Sequence, residues 1–157
     1  MLTAEMQRDL ENAVLCWLAT VDVDGQPSVS PKEIFAPVTE EKIAVAMVAS
    51  PQTVFNLRLN PKVCLSAIDP FRQRGWKVLG EGELVDEHHA LFPAIHAVLA
   101  PIAGEKFPVR SAILITPTAV EPIIAPSYRL FPETTEEEMV KSAMRSYGIQ
   151  VPADADR

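Results

Sequence analysis

The sequence predicts a mainly β chain with flanking helices (an α+β class), about six short strands forming an antiparallel sheet that closes, or partly closes, into a barrel. Three observations carry this. Apolar runs of strand length are joined by tight turns, with Asp22-Val-Asp-Gly25 the clearest hairpin signal. Segments of helical period appear only at the start, between strands and near the end. The 14 prolines are spread between elements, which suits many short strands rather than a few long helices.

Residues 3–13 read as a helix, with Thr3 as cap and Met6, Leu10 and Ala13 on one face. Residues 14–21 form a continuous apolar run of strand length. After the Asp-Gly turn, residues 27–35 return as a strand. Residues 37–41 read as a turn and 42–48 as the next strand. Ser50-Pro51 opens a short helix over 51–59, because proline suits the first helical position and serine the cap. Asn60-Pro61 stops it. Strands follow at 63–68 and 76–85, the second carrying Gly80 and Gly82, which point to a bend or a close backbone approach. Residues 86–99 read as a helix that Pro93 kinks or restarts. Residues 109–116 and 119–124 read as strand. Thr135-Glu-Glu-Glu138 fits a capping box for a helix over about 135–147, closed by Gly148. Residues 151–157 are expected to fray.

The chain has 157 residues, the size of one domain able to bury a core, so residues 1–157 are expected to form one unit with the last helix packed on it. A net charge of −7 argues against a general nucleic-acid binder and against docking on acidic membranes. Charges arrive too early for a signal peptide, and no apolar stretch is long enough to span a bilayer. The expected setting is cytoplasmic. Cys16 and Cys64 sit inside apolar runs and read as buried reduced thiols.

One constellation has the makings of a phosphate site. Ser30-Pro31-Lys32 lies on a strand, and Ser50-Pro51-Gln52-Thr53 opens a helix farther along the chain. A helix start supplies free backbone N–H groups and a positive dipole end. Ser50, Thr53 and Asn56 add donors, and Lys32 can bring the compensating charge. An ordinary capped helix beside a surface lysine has the same spacing, so the pattern alone leaves both readings open.

Three stretches extend the case. Residues 16–31 (Cys-Trp-Leu-Ala-Thr-Val-Asp-Val-Asp-Gly-Gln-Pro-Ser-Val-Ser-Pro), 56–63 (Asn-Leu-Arg-Leu-Asn-Pro-Lys-Val) and 78–85 (Val-Leu-Gly-Glu-Gly-Glu-Leu-Val) occur in this order. Together they resemble the FMN-binding split-barrel proteins of the pyridoxamine 5'-phosphate oxidase-like group, over about residues 10–125. The end of the chain, 134–148, resembles the tail of the short members called oxidase-related. The resemblance implies a six-stranded antiparallel split barrel, a homodimer, and FMN at the subunit interface. It places Ser30, Pro31 and Lys32 along the ring and phosphate side of the flavin. It places Met47, Val48 and Ala49 on the strand facing the ring, and Ser50, Gln52, Thr53 and Asn56 in the phosphate turn. Two departures stand out. Gln52 replaces the Arg or Lys that members often carry, and a charge-assisted bond is worth roughly 1.5–3 kcal/mol. The C-terminal Arg/His substrate motif of the full oxidases is missing, so their substrate is not carried over.

The function expected from this resemblance is an FMN-dependent oxidoreductase acting on a small molecule or a nicotinamide. No side chain stands out as an acid or base, so no catalytic residue is assigned. Alternatives are a flavin-binding protein without turnover, in electron transfer or flavin storage, and a split barrel using haem or a deazaflavin. His88, His89 and His96 do not form a metal motif, since adjacent histidines on a helix point apart. The Arg72, Arg74, Trp76 and Lys77 loop either is solvated or reaches a ligand phosphate across a dimer interface. Rossmann, P-loop and Gly-x-Ser-x-Gly patterns do not occur.

Overall fold

A computed structural model describes residues 1–150. Seven strands, one more than expected, form a single antiparallel sheet in the order β2-β1-β5-β6-β7-β4-β3. The chain runs α1 (Ala4–Asn12), β1 (Cys16–Val21), β2 (Pro27–Lys32), β3 (Phe35–Thr39), β4 (Lys42–Ala46) and α2 (Pro51–Leu59). It continues through β5 (Lys62–Asp69), β6 (Arg74–Asp86), α3 (Phe92–Ala103), β7 (Ser111–Ile124), α4 (Ser127–Leu130) and α5 (Glu136–Ser146).

The curled sheet encloses a core of large aliphatic side chains. Leu18, Ile43, Val45, Leu65, Val78, Ile113 and Ile115 are fully buried inside it, with Leu10 of α1. The barrel stays split because β2 and β3 both lie at edges of the sheet. Each edge carries proline, Pro27 and Pro31 on β2 and Pro37 on β3, where a missing N–H is tolerated. Strand β4 is buried on both faces. Ile43 and Val45 point into the barrel, while Ala44 and Ala46 lie under Ile95 and Leu99 of α3. The small alanines let that helix sit close to the sheet.

The strand expected over 27–35 ends at Lys32, and the extra strand is β3, which takes in Phe35 and residues 37–39 read as a turn. It pairs with β4 with a register shift between Pro37 and Thr39, and a bulged edge strand accepts proline. The residues on either side of Pro117, read as one or two strands, form a single strand, β7. Next to Pro117, Thr118 is the extra residue of a bulge in β7, opposite the step from Leu79 to Gly80. The third helix starts later than expected. Residues 86–91 are largely turn, and Pro93 sits in the first turn of α3 rather than kinking a longer helix. The four-residue α4 was not anticipated. The tail expected to fray lies outside the described residues. Among the described residues, no helix is long and apolar enough to cross a membrane.

Two glycines position what matters for the site. A Cβ on Gly82 would meet Leu57 of α2 at 3.0 Å, with Val63 and Ile113 at 3.1 Å, so the bare backbone there seats α2 against the barrel. A Cβ on Gly75 would lie 2.1 Å from the carbonyl oxygen of Ala67, so β5 and β6 cross at a distance only glycine allows.

Candidate functional site

The site grows from the split edge. Strand β2 alternates, with Val29 and Pro31 outward and Ser28, Ser30 and Lys32 toward the interior. Lys32 is therefore a lysine drawn inward at the end of its strand, only 8% exposed. Its ammonium donates to the hydroxyl of Ser50, the residue that precedes α2. Sequence reasoning cast Ser50 as a side-chain cap. The hydroxyl makes no capping bond and serves Lys32 instead, while Pro51 at the helix start needs no N–H partner. Among the described residues, Lys32 forms no ion pair with a carboxylate. Burial pulls its pKa below the ordinary lysine value, and the nearby Cys16 thiol works against that shift. Cys16, opposite Lys32 in the β1–β2 ladder, is buried, and burial pushes its thiol up to about 12.

A cavity of about 270 Å³ opens beside this pair. Pro31, Lys32, Val48, Ala49 and Ser50 line it, so five of the expected site residues face one space. Ile34, Ala46 and Phe107 add an apolar wall, and Glu33 a carboxylate. Ile34 and Phe107 were not anticipated; Phe107 lies past α3 in sequence, and only the tertiary fold brings it here. Met47, Val48 and Ala49 follow β4 as a bend instead of continuing the strand, since β4 ends at Ala46. The Met47 N–H still donates to Ser111 at 3.0 Å, which holds the bend to β7.

Three of the remaining expected residues, Gln52, Thr53 and Asn56, lie on α2. Thr53 is buried. Gln52 is exposed, and its Nε2 donates to Asn56 Oδ1 at 2.8 Å. Asn56 is 0% exposed, and its Nδ2 donates to Thr20 Oγ1 at 2.9 Å inside the barrel. Both ends of its carboxamide are thus occupied. The Ser30 hydroxyl is buried without a hydrogen-bond partner, alone in this among the buried side-chain polar atoms of the described residues. A buried hydroxyl left unpaired costs free energy, and it sits on the same strand face as Lys32.

A larger cleft of about 530 Å³ lies beyond Trp17, which faces Pro31 across the β1–β2 ladder. Phe71, Arg72, Arg74 and Trp76 line it, and Trp76 Nε1 donates to Asp9 at 2.8 Å. Its arginines are engaged within the chain. Arg72 and Arg74 both donate to Glu136 of α5, at 3.1 and 2.6 Å, and Arg74 stacks over Tyr128. The two arginine partners hold the Glu136 carboxyl below its usual range, and the Glu136 bonds raise the Arg72 guanidinium further. His88 and His89 precede α3 and His96 lies on it, so the three histidines do not share the helix read over 86–99. Among the described residues, no three His, Cys, Asp or Glu side chains converge as metal ligands.

Known proteins fit this architecture. The family model described as Pyridoxamine 5'-phosphate oxidase matches residues 2–123. The chain is similar to HupZ from Group A Streptococcus at 26% identity and TM-score 0.65, covering 76% of this chain and 92% of that one. It is similar to a provisionally named pyridoxamine 5'-phosphate oxidase from Lactobacillus delbrueckii at 26% identity and TM-score 0.62, covering 76% and 93%. A structure named F420 reductase is 27% identical with TM-score 0.57, covering 76% and 98%. No curated protein sequence matches the chain. With the model spanning most of its length and the split barrel in place, the chain belongs to the pyridoxamine 5'-phosphate oxidase family.

Proposed function

We propose that this chain is an FMN-binding flavoprotein, an oxidoreductase that works as a homodimer with the flavin at the subunit interface. The observation that carries the reading is Lys32. A buried ammonium without a carboxylate partner is costly, and a phosphate at the start of α2 would balance it.

Lys32 and Ser50 would hold the phosphate, with the free N–H groups at the start of α2 and the Gln52 amide as neutral donors. Val48, Ala49, Pro31 and Ile34 would supply the semi-apolar wall for the ring. The flavin, when bound, supplies the electron chemistry; the chain's own task is anchoring, orientation and exclusion of water. No catalytic side chain is assigned. The whole chain is read as one domain, with α5 held to the barrel through Glu136.

A deazaflavin is the second reading, favoured by the likeness to the F420 reductase. The visible spectrum of the purified protein, before and after added FMN, tests the cofactor. A flavin band with quenched fluorescence supports the proposal, and no binding of FMN at any concentration overturns it. Stopped-flow mixing with NADH or NADPH then separates a reductase from a protein that only holds flavin.

A further inference from the structure

We infer that Thr20, inside the barrel on β1, is a positioning residue for the anion-binding turn, acting through Asn56 on Gln52; this rests on the phosphate reading above. The three side chains form one connected line. Thr20 is 1% exposed and Asn56 0%, yet Gln52 at the far end is exposed on the first turn of α2. Asn56 Nδ2 donates to Thr20 Oγ1 at 2.9 Å, and Gln52 Nε2 donates to Asn56 Oδ1 at 2.8 Å. The line therefore runs from the barrel wall to the rim beside Ser50, where Lys32 arrives from β2.

Each link has a reason. Gln52 and Asn56 are four apart on one helix, so their side chains meet on one face. Thr20 is a β-branched residue on β1, a strand paired on both sides, with a hydroxyl held in few rotamers. It offers the fixed point. An exposed glutamine otherwise spreads over many rotamers, and ordering it on binding weakens the ligand. Anchored at Asn56, Gln52 spends one N–H inside the chain and keeps its second N–H for a ligand. This is how a neutral amide can serve where a cation would act at longer range.

Thr20→Val removes the hydroxyl and keeps the shape; Thr20→Ser keeps the hydroxyl and loses the methyl. FMN and riboflavin, which lacks the phosphate, are titrated by fluorescence against each full-length variant. Thr20→Val is expected to weaken FMN about five- to tenfold while leaving riboflavin unchanged, and Thr20→Ser to restore FMN. Added to Gln52→Met, it should cost nothing more, because both changes break one line. Equal losses for both flavins, losses that multiply, or an unchanged FMN affinity would each overturn the role of Thr20. Should Thr20→Val not fold, the Gln52 side-chain amide of the wild type decides by NMR. A slowly exchanging resonance that moves on adding FMN supports the line, and a free-glutamine signal unmoved by FMN overturns it. A wild type that binds no FMN overturns the proposed function itself, and this inference with it.

Discussion

The ammonium of Lys32 and the hydroxyl of Ser50 are hydrogen-bonded across the gap between the end of β2 and the start of α2. This contact joins the two segments of the proposed anion site. In that proposal it also ties ligand binding to a titrating group. The Lys32 pKa lies below its ordinary value because of burial. The protonated form attracts a phosphate, so FMN affinity should fall as pH rises through that lowered pKa, earlier than for an exposed lysine. Lys32→Met should weaken FMN by about ten- to a hundredfold near neutral pH and flatten this alkaline decline. Fluorescence titration across pH checks both, and an alkaline decline that persists in the variant assigns it to another group.

Gly75→Ala should be poorly tolerated. The new Cβ would press on the Ala67 carbonyl, a backbone atom that cannot swing aside. A loss of about 1–3 kcal/mol is expected from such overpacking, read as a lower urea midpoint. A midpoint equal to wild type would mean that the β5–β6 crossing relaxes freely.

Glu136→Gln should loosen α5. The folded carboxyl has a lowered pKa, so its contribution is present above the ordinary carboxylate value and is lost as pH falls through the folded one. The partners are about two-fifths exposed, and solvent screening keeps the effect below about 1 kcal/mol. Urea unfolding at neutral pH should show a small deficit that disappears in acid. A deficit that survives in acid would point to packing rather than charge.

The two cysteines should react in sequence. Cys16 is buried with its thiol pushed up to about 12, whereas Cys64 is half-buried with a thiol also raised by burial. A disulfide reagent at pH 8 is expected to modify Cys64 slowly and leave Cys16 intact until the protein unfolds. Peptide mapping distinguishes them.

Much of the fold was legible because local chemistry agreed with the final structure. Ser50-Pro51 and Asn60-Pro61 bracketed α2 at its observed bounds, and Thr135 with Glu138 forms the expected capping box. The Asp-Gly turn joins β1 to β2 as expected. Strand β3 was hidden because Pro37 argues against a strand until its place at an edge is known. α3 starts later than the helix read over 86–99 because residues 87–91 form turns. At the site, the approach of Lys32 to Ser50 could be anticipated from residue types. The roles of Thr20 and Phe107 could not: a threonine in an apolar strand looks like any other β-former, and Phe107 lies more than fifty residues beyond Ser50.

The prolines at both margins of the sheet bear on how copies of this chain can meet. A margin with missing donors at Pro27 and Pro31 on one side, and at Pro37 on the other, is a poor template for another strand. Association is left to faces and to whatever lies between them. In the proposed pair the two chains close over a shared ligand, and the growth of open-ended ribbons is discouraged by these edge prolines.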